Sequence, residues 1–237
     1  MHFKKTVKHL LLLHGALGHP GYFDFIKEAL AAEYLIHTPV FEGHTGFRQG
    51  DVTLSMAAYV AQIEKYCEEH DLEQVAIFGY SMGGYVGLCY AAQFPERVTD
   101  VMTLATKLSW SPEIAEREVK MLDPVTIKEK VPKFAAYLGS VHGSAHWEKL
   151  CRDIAGLLTG LGEHPLLGEQ EYAAIKAKTQ LMVGDKDNMV SIEETMTTVK
   201  QIEQANFAVL PDTIHPFEKI NRELLLRLMR DFFTTKQ

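Results

Sequence analysis

The sequence predicts an α/β protein: a mostly parallel sheet of about six main strands flanked by helices, interrupted once by a helical insertion. Three observations predict it. Short, continuous apolar runs recur along the chain, the pattern of strands covered on both faces. Segments with helical apolar spacing follow nearly all of them, and strand–helix alternation builds parallel sheets through right-handed crossovers. Between Lys107 and Glu171 there is no strand signal at all.

In chain order, residues 7–13 (VKHLLLL) read as the first buried strand, 22–32 as a helix and 34–39 as a short strand. Residues 54–70 place Ala57, Val60, Ala61, Ile63 and Tyr66 on one helical face. A second buried strand, 75–78, ends in a glycine and precedes a helix over 81–93, and 98–105 is the next strand. The insertion opens at Ser111-Pro112-Glu113, a capping serine with proline at the first helical position. Ile127, Val131, Phe134 and Leu138 recur at helical spacing, although Pro132 should distort that helix. Trp147, Leu150, Ile154, Leu157 and Leu161 form a second stripe. A strand at 179–183, a helix at 192–202, a strand at 206–210 and a helix at 216–233 complete the chain. The core should therefore comprise 1–106 and 172–237, with 107–171 packed upon it.

Composition narrows the function. In 237 residues, Lys+Arg number 24 and Asp+Glu 31, a formal charge of −7 with the basic residues scattered, which leaves no nucleic-acid footprint. The apolar run Leu10 to Leu13, like every other in the sequence, is far too short for a membrane span. The leading Met1-His2-Phe3-Lys4-Lys5 runs into it without a small-residue cleavage site, so a strand is expected there and not a signal peptide. Cys67, Cys89 and Cys151, odd in number and far apart, point to a reducing compartment, hence to a cytoplasmic protein. Oligomeric state is not legible.

The chemistry concentrates at Gly79-Tyr80-Ser81-Met82-Gly83-Gly84, between a strand and a helix. G-x-S-x-G needs small residues flanking a turn so sharp that side chains would clash, and it holds the serine exposed. A nucleophilic serine needs a base, and the base an orienting carboxylate, in the order Ser, Asp/Glu, His. Gly184-Asp185-Lys186-Asp187 and Asp212-Thr213-Ile214-His215-Pro216 both follow strands, at the carboxyl edge where open α/β sheets build their sites. His14-Gly15-Ala16-Leu17-Gly18 follows the first strand, where glycines let backbone N–H groups face a developing oxyanion; Ala16 and Met82 would be the donors, with His14 bracing the loop. His142 and His146, four apart, lack an obvious third metal ligand and read as a solvated loop. The only two-glycine match to a dinucleotide fingerprint is the serine turn itself, so no nicotinamide, flavin or other cofactor and no metal is expected.

These segments, together with Pro39-Val40-Phe41-Glu42-Gly43-His44-Thr45-Gly46, resemble the α/β-hydrolase superfamily, in its small lidded esterase and lipase-like branch. The resemblance implies that Asp187 is the acid and that 107–171 is a lid. Many relatives carry an antiparallel hairpin ahead of the first strand; here at most a short edge segment from His2 to Thr6 is expected. The expected activity is hydrolysis of a small-molecule carboxylic ester or thioester by Ser81, His215 and Asp187. The apolar residues of the lid, Trp110, Phe134, Leu138 and Trp147 among them, would line the acyl pocket, with Phe23, Tyr80 and Met189 as further candidates. A C–C bond lyase or synthase, a perhydrolase, or a slow-turnover receptor with the same triad are the alternatives, since fold does not fix function.

Overall fold

The computed structural model describes residues 8–46 and 53–234. Six strands, β1 (Lys8–Leu13), β2 (Tyr34–His37), β3 (Val75–Tyr80), β4 (Val98–Leu104), β5 (Lys178–Gly184) and β6 (Ala205–Leu210), form one sheet in the order β2-β1-β3-β4-β5-β6. Every pairing is parallel. The edge segment expected at His2 to Thr6 lies outside the described residues.

The helices between strands are α1 (Asp24–Leu30), α2 (Met56–Glu69) and α3 (Met82–Gln93). Between β4 and β5 come α4 (Pro112–Lys120), α5 (Pro124–Lys130), α6 (Pro132–His142), α7 (Trp147–Glu163) and α8 (Glu169–Ala174). Then follow α9 (Ile192–Val199) and α10 (Arg222–Thr234). Alternation along the strands divides the core. Leu11, Leu13, Val75, Ile77, Val101 and Leu181 point to the face covered by α2, α3 and, beyond them, α7. Leu10, Leu12, Ala76, Phe78, Met102 and Met182 point to the opposite face, under α1 and α10. Both faces are buried, which is why these strands read as unbroken apolar runs.

Two segments depart from the periodicity. Proline lacks the N–H that a continuous helix would need at position 132, so the stripe from Ile127 to Leu138 breaks at Val131 into α5 and α6. Ile127 and Leu138 are buried, whereas Val131 and Phe134 are exposed. The last helix starts at Arg222 and not at Pro216, which precedes a single 3₁₀ turn, Phe217–Lys219. Asn221 Oδ1 accepts the Leu224 N–H at 3.1 Å and caps the helix there. Among the described residues no helix is long and apolar enough to cross a membrane. The three cysteines are buried and unpaired.

Candidate active site

Strand β3 delivers Ser81 to the carboxyl edge of the sheet, and α3 begins at the next residue. Ser81 sits at φ 51°, ψ −120°, a conformation that L residues rarely adopt. Its N–H donates to Leu104 O at 2.9 Å and its carbonyl accepts from Thr106 Oγ1 at 3.1 Å, so β4 holds the turn from the side. The flanking glycines are steric necessities: a Cβ on Gly83 would overlap the Leu13 carbonyl, and one on Gly79 the backbone of Gly84.

His215 arrives from the loop after β6. Its Nε2 lies 3.3 Å from Ser81 Oγ, and its Nδ1 lies 2.9 Å from Asp187 Oδ2 and 3.1 Å from Oδ1. With Nδ1–H donating to the carboxylate, Nε2 is left to accept the serine hydroxyl. The Tyr80 hydroxyl donates to the His215 carbonyl at 2.8 Å, tying the loop to the strand before the serine. Asp187 Oδ1 also accepts the Met189 and Val190 N–H groups, both at 2.9 Å. Burial alone would raise the Asp187 pKa; the hydrogen bond and charge of His215 and those two amides outweigh it and hold the carboxyl below the usual range. The neighbouring acids are occupied elsewhere: Asp185 Oδ1 caps the Thr213 N–H at 3.0 Å, and Asp212 pairs with Lys186 at the surface.

The loop after β1 closes the other side. His14 is fully buried; its Nδ1 donates to Gly15 O at 2.9 Å and its Nε2 accepts the Phe41 N–H at 3.2 Å, bracing that loop against the one after β2. Burial lowers its pKa to about 4, so it is neutral at ordinary pH. Met82 opens α3, so its N–H has no intrahelical acceptor.

A cavity of about 100 Å³ meets this arrangement, and Ser81, His215, Ala16 and Met82 are among its lining. Of the pocket residues expected from sequence, Trp110 and Met189 line it. The other five lie elsewhere. Phe23 is buried on the opposite face of the sheet, its ring 5.4 Å from that of Phe217. The Tyr80 ring turns to the same side, 4.9 Å from Phe217. Leu138 and Trp147 are spent in the core that joins α6 and α7, and Phe134 is exposed beyond the break at Pro132.

Met121, Leu122 and Leu158 add apolar wall from the segment 107–171, as expected of its apolar residues; Met56, Tyr85 and Val190, and the polar Lys107 and Glu118, were not foreseen. Glu118 left a trace in the sequence, an acidic residue on the otherwise apolar stripe of Ile114, Ala115, Val119 and Leu122. His142 is also not the solvated loop expected. It is buried at the end of α6, with Nε2 donating to Leu17 O at 2.9 Å and Nδ1 accepting the Thr45 N–H at 3.0 Å. His146 is exposed, and no group of three metal-binding side chains occurs among the described residues.

A Mycoplasma pneumoniae protein named "Putative esterase/lipase 3" is 36% identical over 111 residues, which cover 46% of this chain and 40% of that relative. The matched stretch thus spans less than half of that relative's length. The monoacylglycerol lipase of Mycolicibacterium smegmatis is 24% identical over 246 residues, 92% of this chain and 84% of the lipase. Among solved structures, a carboxylesterase of Nitrososphaera gargenis superposes with a TM-score of 0.79 at 18% identity, over 97% of this chain and 92% of that one, a likeness of fold. The family model described as alpha/beta hydrolase fold matches residues 8–155, well over half of the sequence, and it covers both the loop after β1 and the serine turn. The chain belongs to the α/β-hydrolase fold family.

Proposed function

We propose that this protein is a serine hydrolase that cleaves a small carboxylic ester or thioester through an acyl-enzyme. The observation that carries the reading is the continuous chain Ser81 Oγ–His215 Nε2 at 3.3 Å and His215 Nδ1–Asp187 Oδ2 at 2.9 Å, opening into a largely apolar cavity. Ser81 attacks the acyl carbonyl while His215 Nε2 takes its proton. Asp187 holds the imidazole in the Nδ1–H tautomer and stabilises the imidazolium. The tetrahedral oxyanion is received by the amides of Ala16 and Met82, each contributing about 3–4 kcal/mol in a site closed to water. His215 then protonates the leaving oxygen or sulfur, and afterwards activates a water that releases the acid and restores Ser81.

The segment 107–171 is the lid of this site in the proposal. Its helices contribute Glu118 and Leu158 to the cavity wall, together with Met121 and Leu122 from the turn after α4. The names of the Mycoplasma and Mycolicibacterium relatives, an esterase/lipase and a monoacylglycerol lipase, support the same chemistry. The test is Ser81→Ala, with turnover of a short-chain aryl ester and melting temperature measured together. Loss of turnover to the uncatalysed level with an unchanged fold is expected; near-wild-type turnover would overturn the reading.

A further inference from the structure

The cavity wall carries an acid that the proposed hydrolysis does not use. Glu118 on α4 is 5% exposed and lines the same cavity as Ser81. Its nearest cations are Arg117 Nη2 at 3.7 Å and Lys107 Nζ at 3.9 Å, both too far for a hydrogen bond. Among the described residues no hydrogen bond reaches its carboxylate.

Lys107 is already committed. Its ammonium donates to Met189 O at 2.7 Å and lies 3.5 Å from Glu194 Oε2. Glu194, in turn, accepts N–H groups from Leu108 at 2.8 Å, Ser109 at 3.1 Å and Ser191 at 3.2 Å. The lysine and Glu194 thus form a satisfied knot that fixes the chain after β4 against the loop carrying Asp187 and Met189. Glu118 joins that knot only through its 3.9 Å ion pair with Lys107, without a hydrogen bond. Its carboxylate is held by two long ion pairs and no hydrogen bond, so it can still accept one, and the space it borders is where the substrate enters.

We propose that Glu118 is a specificity-determining residue: it accepts a hydrogen bond from a hydroxyl or ammonium group on the acyl part of the substrate and rejects acyl groups that end in a carboxylate. The proposal rests on the hydrolase reading above, which supplies the acyl group. A donor on the acyl chain gives the buried carboxylate a partner that a methyl group cannot, and hydrogen bonds to charged groups are the stronger kind. A second carboxylate brought beside Glu118 meets like charge in a site from which water is displaced.

The experiment compares kcat/KM for aryl esters over a run of short acyl chains, each made with a methyl, hydroxyl, ammonium or carboxylate end. Wild-type protein, Glu118→Gln and Glu118→Leu are assayed, with fluorophosphonate labelling of Ser81 alongside. The wild type should prefer a hydroxyl or ammonium end over methyl by about tenfold or more at its best chain length, and should disfavour the carboxylate by at least as much. Glu118→Gln should lose the ammonium preference and the carboxylate penalty while keeping part of the hydroxyl preference, and Glu118→Leu should favour methyl. A wild-type enzyme that labels at Ser81 and hydrolyses all four ends equally would overturn this proposal alone, without reference to any variant. The same end-group ratios in Glu118→Gln and wild type would do so too. Absence of both labelling and ester hydrolysis would instead remove the hydrolase reading on which it stands.

Discussion

Ser81 is held at a positive φ by the clash-free turn between Gly79 and Gly83 and by hydrogen bonds to Leu104 and Thr106 at the end of β4. This much was legible, because glycines two residues either side of a serine, between strand and helix, have few other physical explanations. Which acid serves His215 was not legible from spacing: Asp185, Asp187 and Asp212 all follow strands, and only the resemblance to the family singled out Asp187. The geometry separates them, since Asp187 alone lies against His215 while Asp185 caps Thr213 and Asp212 faces Lys186. Asp187→Asn is therefore expected to lower kcat by roughly 10³- to 10⁴-fold by favouring the wrong imidazole tautomer. Asp212→Asn and Asp185→Asn should cost far less. Steady-state kinetics of the three variants checks the order, and a larger loss at Asp185 or Asp212 would reverse it.

At the scale of elements, strands and their helices were readable because both faces of the sheet are covered, so burial writes itself into continuous apolar runs. The insertion was readable as helices but not in its packing. Pro132 turns one expected stripe into two helices, and the break decides that Phe134 faces solvent while Leu138 faces the core. Nor did the sequence reveal that the end of α6 is tied down by histidine. His142 joins the loops after β1 and β2, and its ring lies 5.7 Å from that of His44, which is 4.8 Å from that of His14. His44 Nε2 has no hydrogen-bond partner among the described residues.

All three rings have pKa values lowered mainly by burial, to about 4 for His14 and well below 6.5 for His44. The unfolded chain takes up protons near pH 6.5 that the folded one refuses. Stability is therefore complete above about pH 6.5 and is lost as pH falls, for His14 from there towards 4 by up to about 1.4 kcal/mol per pH unit, with His44 and His142 acting in the same direction. Denaturant titrations between pH 8 and 5 should show this decline, and His14→Gln should make it shallower by one histidine's share. A pH-independent stability over that range would contradict the coupling.

For the whole molecule, the cavity is assembled from distant parts of the chain: Ala16 after β1, Met56 on α2, Tyr85 on α3, Glu118 on α4, Leu158 on α7 and His215 after β6. A single sequence gives the elements but not the pairing of faces across them, which is why Trp110 and Met189 were foreseen and Met56 and Tyr85 were not. The cavity of about 100 Å³ has room for a few water-sized groups. Catalytic efficiency should then rise over the shortest acyl chains, by about fourfold per methylene buried at ~0.8 kcal/mol each, and collapse for long ones. An acyl series from acetyl to palmitoyl that peaks at the longest member would show that the segment 107–171 leaves an open groove. The account as a whole stands on Ser81 carrying the acyl group. The most direct measurement is peptide-mapped mass spectrometry of protein acid-quenched during turnover of a short-chain aryl ester. The predicted result is the acyl mass on the peptide containing Ser81, absent in Ser81→Ala; turnover with an unmodified Ser81 and the acyl group on another residue would contradict it.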